Sequence, residues 1–119
     1  MAKGDDIQER LIELAVTLIA LCEGMPRTLL GKHISDQLVR SGTSAAANYG
    51  EARVAESRRD FMHKLKVVAK ELNEAWVWLE IVRRSRMFEA PEIRKIEAEC
   101  TELSKIVSAS IRTTRSRTG

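Results

Sequence analysis

Apolar residues recur at alternating steps of three and four along four separate stretches of this chain, with polar residues between them. From residue 5 to 23 the row is Ile7, Leu11, Leu14, Leu18 and Leu21, with Met25 just beyond. This spacing stacks side chains on one face of an α-helix. Asp6, with Glu9 three residues on, reads as a capping box. Gly24 is the expected residue just past the helix end, and Pro26 prevents continuation. The second stretch, residues 28–52, starts the same way with Leu30 and Ile34. It then continues through the polar Gln37, Ser41, Ser44, Asn48 and Glu51, beside a stripe of Leu38, Gly42, Ala45, Tyr49 and Ala52. Gly42 and Gly50 each cost about 1 kcal/mol against Ala inside a helix, which makes sense where another helix comes close. The third stretch, residues 57–87, carries the strongest period: Phe61, Leu65, Val68, Leu72, Ala75, Leu79 and Val82, capped by Ser57 with Asp60 near the positive end of the dipole. The fourth, residues 91–112, opens on Pro91 and Glu92 and runs Ile93, Ile96, Cys100, Leu103 and Val107. Residues 113–119 read as a frayed basic tail. Short connections make sequential helices antiparallel. The expected fold is all-α: one up-down-up-down four-helix bundle spanning residues 1–119.

Two stretches carry more apolar surface than a lone bundle needs. Ile12, Val16 and Ile19 step along a flank of the first, away from its seam. In the third, residues 75–82 are seven-eighths apolar, and Trp76 and Trp78 cannot both face one seam, because positions two apart lie about 200° round a helix. A chain of 119 residues cannot cover all of this internally. The reading is a homo-oligomer, with Ile12, Val16, Ile19, Trp76, Trp78 and Ile81 at the subunit contacts.

The polar stripe of the second stretch allows two readings. A solvated face usually carries Glu, Lys and Arg, whereas Ser and Asn are weak helix formers. A partly buried hydrogen-bond network of Gln37, Ser44, Asn48 and Glu51, joined by Arg40, Glu71 and Glu74, explains them better, and would fix the register between helices.

Composition agrees with a helical domain: 44% hydrophobic, 31% charged, with only six Gly and two Pro. The formal charge is +3, and it is uneven, since residues 1–51 carry five basic and seven acidic groups while residues 52–119 hold the surplus of cations. That surplus permits an anionic partner. Arg53, Arg58, Arg59, Lys64, Lys66, Arg83, Arg84 and Arg86 are the candidate phosphate contacts. Cys22 and Cys100 fall on apolar helical positions and lack metal-ligand spacing, so no metal and no cofactor is expected. The first residues lead straight into an amphipathic segment, not a signal sequence. The longest apolar stretch, from Leu11 to Cys22, is too short for a membrane span. The expected location is cytoplasmic, away from membranes.

Residues 40–79 carry a recognisable order: Arg40-Ser41, Ser44, Asn48, Glu51-Ala52, then Ser57, Asp60-Phe61, Lys64, then Lys70-Glu71, Glu74, Trp78-Leu79, with Gln37 upstream. In this the chain resembles the four-helix-bundle family of 23S ribosomal RNA intervening-sequence proteins. Gly50 departs from the pattern, where a basic or larger residue is expected. The resemblance implies a homopentameric ring with a central opening. It also implies kinship with the accessory proteins of diversity-generating retroelements, which bind nucleic acid. The expected function is therefore non-enzymatic: an oligomeric, sequence-independent RNA- or DNA-binding scaffold, with a protein–protein adaptor as the alternative. Enzyme chemistry finds little support. His33 and His63 lack the Glu-x-x-His spacing of di-iron bundles. The spacing Arg58-x4-His63, as in helical ribonucleases, is followed by Arg59 where that motif prefers Asn, Asp or His.

Overall fold

In the computed structural model, which describes residues 3–118, the chain forms α1 (Lys3–Glu23), α2 (Leu29–Arg53), α3 (Arg58–Ser85) and α4 (Ile93–Thr118), with no strand among the described residues. Each helix packs on two neighbours: α1 on α2, α2 on α3, α3 on α4 and α4 back on α1. The diagonal pair α1 and α3 do not meet. Partners run in opposite order along adjoining helices. Gln8 donates to the Ala46 carbonyl and Cys22 to that of Ser35. Lys64 meets Glu51, and Arg40 meets Glu71. The assembly of helices measures 48 × 26 × 20 Å.

The four seams read from the sequence fill the interior. Leu11, Leu18, Leu38, Leu79 and Leu103 are fully buried, each contributing about 1.5–3 kcal/mol of transfer free energy. The close approach expected at Gly42 comes from α1: a Cβ there would lie 2.7 Å from Leu18 Cδ1 and 3.5 Å from the Ala15 Cα. At Gly31 a Cβ would lie 2.0 Å from the Pro26 carbonyl oxygen, so only glycine lets the first turn of α2 tuck under the preceding turn.

Thr28 and Ser57 cap α2 and α3, accepting from the N–H groups of Gly31 and Asp60 at 3.1 and 3.0 Å. Other ends differ from expectation. Asp6 is not a cap, because α1 already runs from Lys3; Asp5 and Asp6 instead sit in its first turn, against the positive end of the dipole. Gly24 ends α1 without a left-handed turn: its N–H and that of Met25 tighten onto the carbonyls of Leu21 and Cys22. The third helix stops at Ser85, not 87, because Arg86 turns left-handed at φ 58°, ψ 22°, a conformation costing about 1–2 kcal/mol. Pro91 lies in the turn before α4, not in its first helical residue. The expected tail is helix as far as Thr118, with Gly119 outside the described residues, as are Met1 and Ala2. Buried Ile111 anchors this last stretch. Thr114 and Ser116 return their hydroxyls to the Ser110 and Thr113 carbonyls, and arginines there oppose the negative end of the dipole.

Candidate functional site

Between α2 and α3 the guanidinium of Arg40 binds two carboxylates. Its Nη1 lies 2.9 Å from Glu71 Oε2, and its Nη2 pairs with Glu74 Oε2. Arg40 Nε donates to Gln37 Oε1 at 3.2 Å, and Nη2 to Ser41 Oγ at 3.1 Å. Glu74 Oε2 also accepts from Ser41 Oγ at 3.1 Å and from the Trp78 indole N–H at 3.2 Å. Burial alone would raise the Glu74 carboxyl; the donors Trp78, Ser41 and Arg40 outweigh it and hold the group below the ordinary carboxylate range. The hydrogen bond to Glu71 is the main reason the Arg40 guanidinium is raised. Glu71 is buried, and its second oxygen has no hydrogen-bond partner among the described residues. Of the other residues in the polar stripe, Asn48 bonds locally to the Ser44 carbonyl and hydroxyl, while Glu51 is exposed and pairs with Lys64 Nζ at 2.9 Å. The structure thus places Gln37, Arg40, Ser41, Glu71, Glu74 and Trp78 in one connected cluster, with the lower half of the stripe apart from it. A groove of about 670 Å³ runs beside that cluster and is bordered by Lys70, Val77 and Ile81.

Between α3 and α4 lies a second cluster, which the sequence reading did not find. Glu80 and Glu97 are both buried. Glu80 accepts from Arg83 Nη2 at 2.7 and 2.8 Å and from Arg84 Nε at 2.8 Å. Arg83 Nε also stands 3.4 Å from Glu97 Oε1. The Glu97 carboxyl, with Arg83 and Arg84, holds Glu80 down at about 2. Burial first, and Glu80 second, push Glu97 above its ordinary value. Of the two carboxyls, Glu97 is therefore the easier to protonate. The available signal was Glu80 standing three and four residues before two arginines.

The eight candidate phosphate contacts do not form one surface. Arg83 and Arg84 are engaged by Glu80, Lys64 by Glu51, and Arg53 by Asp5. Arg58, Arg59, Lys66 and Arg86 are exposed and make no ion pair among the described residues. Arg84 stands 26 residues from Arg58, about 39 Å along α3. One end of the bundle does gather cations: Arg53, Arg58 and Arg117 line a shallow pocket of about 500 Å³ with Phe61 and Thr114, where Glu56 is the one carboxylate among the lining residues. Arg117 reaches this place because α4 extends past residue 112.

The outer flanks of α1 and α3 are apolar. Ile12, Val16 and Ile19 are 40–53% exposed, and Val77 and Ile81 are 40% and 42% exposed. Since α1 and α3 are diagonal, these patches lie on opposite sides of the molecule. Of the two indoles, Trp78 lines the groove that Val77 and Ile81 border, whereas Trp76 does not. Trp76 lies half-buried over the groove toward Cys100 and Ser104 of α4. Trp78 leans to the α2 side, its ring 5.7 Å from that of His33 and edge-on at 84°. Burial pushes the Cys100 thiol up to about 12 and also raises Cys22. His33 and His63 are exposed. Among the described residues no three His, Cys, Asp or Glu side chains converge to hold a metal, and no helix is long and apolar enough to cross a membrane.

A family model described as 23S rRNA-intervening sequence protein matches residues 5–109. The crystal structure of a protein of unknown function from the S23 ribosomal protein family of Bacteroides thetaiotaomicron is similar to this chain at 32% identity. The match covers 93% of this chain and 99% of that one, with a TM-score of 0.80. No curated protein matches.

Proposed function

Because the chain belongs to the 23S rRNA-intervening sequence protein family, we propose that it is a non-enzymatic up-down-up-down bundle that assembles into a ring of identical subunits, five by the resemblance, and binds RNA or DNA through phosphates. Two unlike apolar patches on opposite sides of one subunit support head-to-tail contacts, which close into rings when the rotation allows. The observation that carries nucleic-acid binding is the meeting of the exposed Arg58 and Arg117 at one end of the bundle, beside Arg53, which Asp5 already engages. Repetition round a ring multiplies such weak phosphate contacts; five copies at +3 amount to about +15. Arg83 and Arg84 are poor candidates, since a phosphate must displace Glu80 from them.

Binding of this kind is independent of sequence and weakens steeply with salt. Mobility-shift titrations of single- and double-stranded RNA and DNA between 50 and 200 mM salt test it. The expected result is retention at low salt, lost by about ten-fold or more in Arg58→Glu/Arg117→Glu at unchanged subunit number. No retention of any nucleic acid at the lowest salt sinks the proposal. A nuclease-resistant protein partner recovered in its place favours the adaptor reading.

A further inference from the structure

The outer faces of α1 and α3 are patterned in complementary ways. On α1, Glu9, Ile12, Val16, Ile19 and Glu23 step three and four along one exposed row, so acid stands at both ends of the apolar centre. On α3 the exposed row is Lys66, Lys70, Asn73, Val77, Ile81 and Arg84, with base at both ends and Asn73 as a neutral polar residue between Lys70 and the apolar centre. Glu9, Glu23, Lys66 and Lys70 make no ion pair within the subunit, among the described residues. Arg84 touches Glu80, yet its side chain is 70% exposed. Each row lacks only what the other supplies, and the occupant it fits is a second copy of this chain.

We infer that α1 of one subunit docks along α3 of the next with the two helices parallel, Glu9 against Lys70 and Glu23 against Arg84. This rests on the oligomeric reading above and adds the contact, its direction and its register. The direction follows from symmetry. Rotation about an axis along the bundle leaves helix sense unchanged, and α1 and α3 point the same way in an up-down-up-down bundle. The register follows from the apolar centres. Laying the midpoint of Ile12, Val16 and Ile19 on that of Val77 and Ile81 brings Glu9 within about two residues of Lys70, roughly 3 Å along the axis. The same shift brings Glu23 within about two residues of Arg84 and Asp5 equally near Lys66. An antiparallel pairing would instead oppose Glu9 to Arg84 and Glu23 to Lys70. The parallel contact also covers Lys66, Lys70 and Arg84, which leaves phosphate binding to the end marked by Arg58 and Arg117.

Charge reversal separates these arrangements, because the five residues are exposed and outside the core. Subunit mass by light scattering over a dilution series reads the assembly, and circular dichroism checks that the helices persist. Glu9→Lys and Lys70→Glu should each weaken assembly about ten-fold or more. The pair Glu9→Lys/Lys70→Glu should return it to within a few-fold of the unaltered chain, while Glu9→Lys/Arg84→Glu should not. Recovery by the Arg84 pair instead of the Lys70 pair overturns the parallel register. Single reversals that leave the assembly unchanged overturn the α1–α3 contact while the ring itself stands. An unaltered chain that runs as one subunit at micromolar concentration overturns the oligomeric reading on which the contact rests.

Discussion

Two charged clusters sit on opposite edges of α3, Glu80 following Glu71 and Glu74 by nine and six residues, and they are built on different plans. Toward α2, one arginine serves two carboxylates, and neutral donors from Ser41 and Trp78 complete the shell around Glu74. Toward α4, two buried carboxyls face two arginines, and burial pushes one of the carboxyls, Glu97, above its ordinary value. The first cluster depends on a single cation. The second has a spare cation and a carboxyl that burial makes easier to protonate. Desolvated charge has to be compensated in either case, and a cluster that rests on one cation should be the more fragile when that cation is removed.

The largest effect expected from that contrast comes from removing each central arginine. Arg40→Met leaves Glu71 and Glu74 without a cation, and Glu71 is buried. Its cost should be about 2 kcal/mol, reduced from the full penalty of a broken buried pair because the guanidinium is half exposed. Arg83→Met should lower the urea midpoint by less than half as much, since Arg84 still holds Glu80 and Glu97, already raised by burial, can take up a proton in place of the lost cation. Adding Glu71→Gln to Arg40→Met should recover part of the loss. Equal losses from the two arginines would break the comparison.

Acid sharpens it further. Glu74, depressed in the fold, contributes stability that is present above its unfolded value and lost as pH falls through its lower folded value. Glu80 follows the same rule, its loss running from about the ordinary carboxylate range down to about 2. Glu97 has the opposite sign. Its folded value is raised, so the fold gains stability as pH falls from neutral through that value, and the gain is complete below the unfolded one. Glu97→Gln mimics the protonated form. It should raise the melting temperature at pH 7 by about 2–4 °C, and the advantage over the unaltered chain should vanish by pH 4. An advantage that stays constant with pH would show that Glu97 holds no proton of its own.

The two clusters were unequally legible in the sequence for a physical reason. Ser41, Ser44 and Asn48 stood out because weak helix formers on a long helix call for a compensating contact, and Arg40, Glu71 and Glu74 were the charged residues within reach. Glu80, Arg83, Arg84 and Glu97 look like residues of any solvated helix face, so nothing marked Glu80 and Glu97 as buried. Arg83 and Arg84 accordingly read as free cations. The helical periods placed the four seams well, because burial on one face leaves a 3.6-residue signature. Helix ends were harder. The left-handed turn at Arg86 uses a residue that rarely adopts it, and the helix through Arg115 and Arg117 is rich in Ser and Thr, which argue against helix. The exposed rows on α1 and α3 were half seen: Ile12, Val16, Ile19 and Ile81 stood out as outward apolar residues, but the acid and base flanking them became a pattern only once the diagonal placement of the two helices was known.

The smallest effect concerns the two indoles, which were alike in sequence and differ in surroundings. Trp78 donates its N–H to Glu74 and meets His33 edge-on. Trp76 lies over the α4 groove and makes no hydrogen bond among the described residues. Replacing either with Phe removes similar packing, so the difference between the two variants isolates the hydrogen bond. Trp78→Phe should cost about 1 kcal/mol more than Trp76→Phe, the usual net worth of a bond to a charged acceptor near a surface. Because that bond helps hold Glu74 ionised, the extra cost should fade as acid protonates the carboxyl, whereas the cost of Trp76→Phe should stay flat with pH. Paired urea titrations at pH 7 and pH 3 read both slopes. Equal costs at both pH values would mean that Arg40 and Ser41 fix Glu74 alone, and that the α2 edge of α3 rests on fewer supports than its geometry shows.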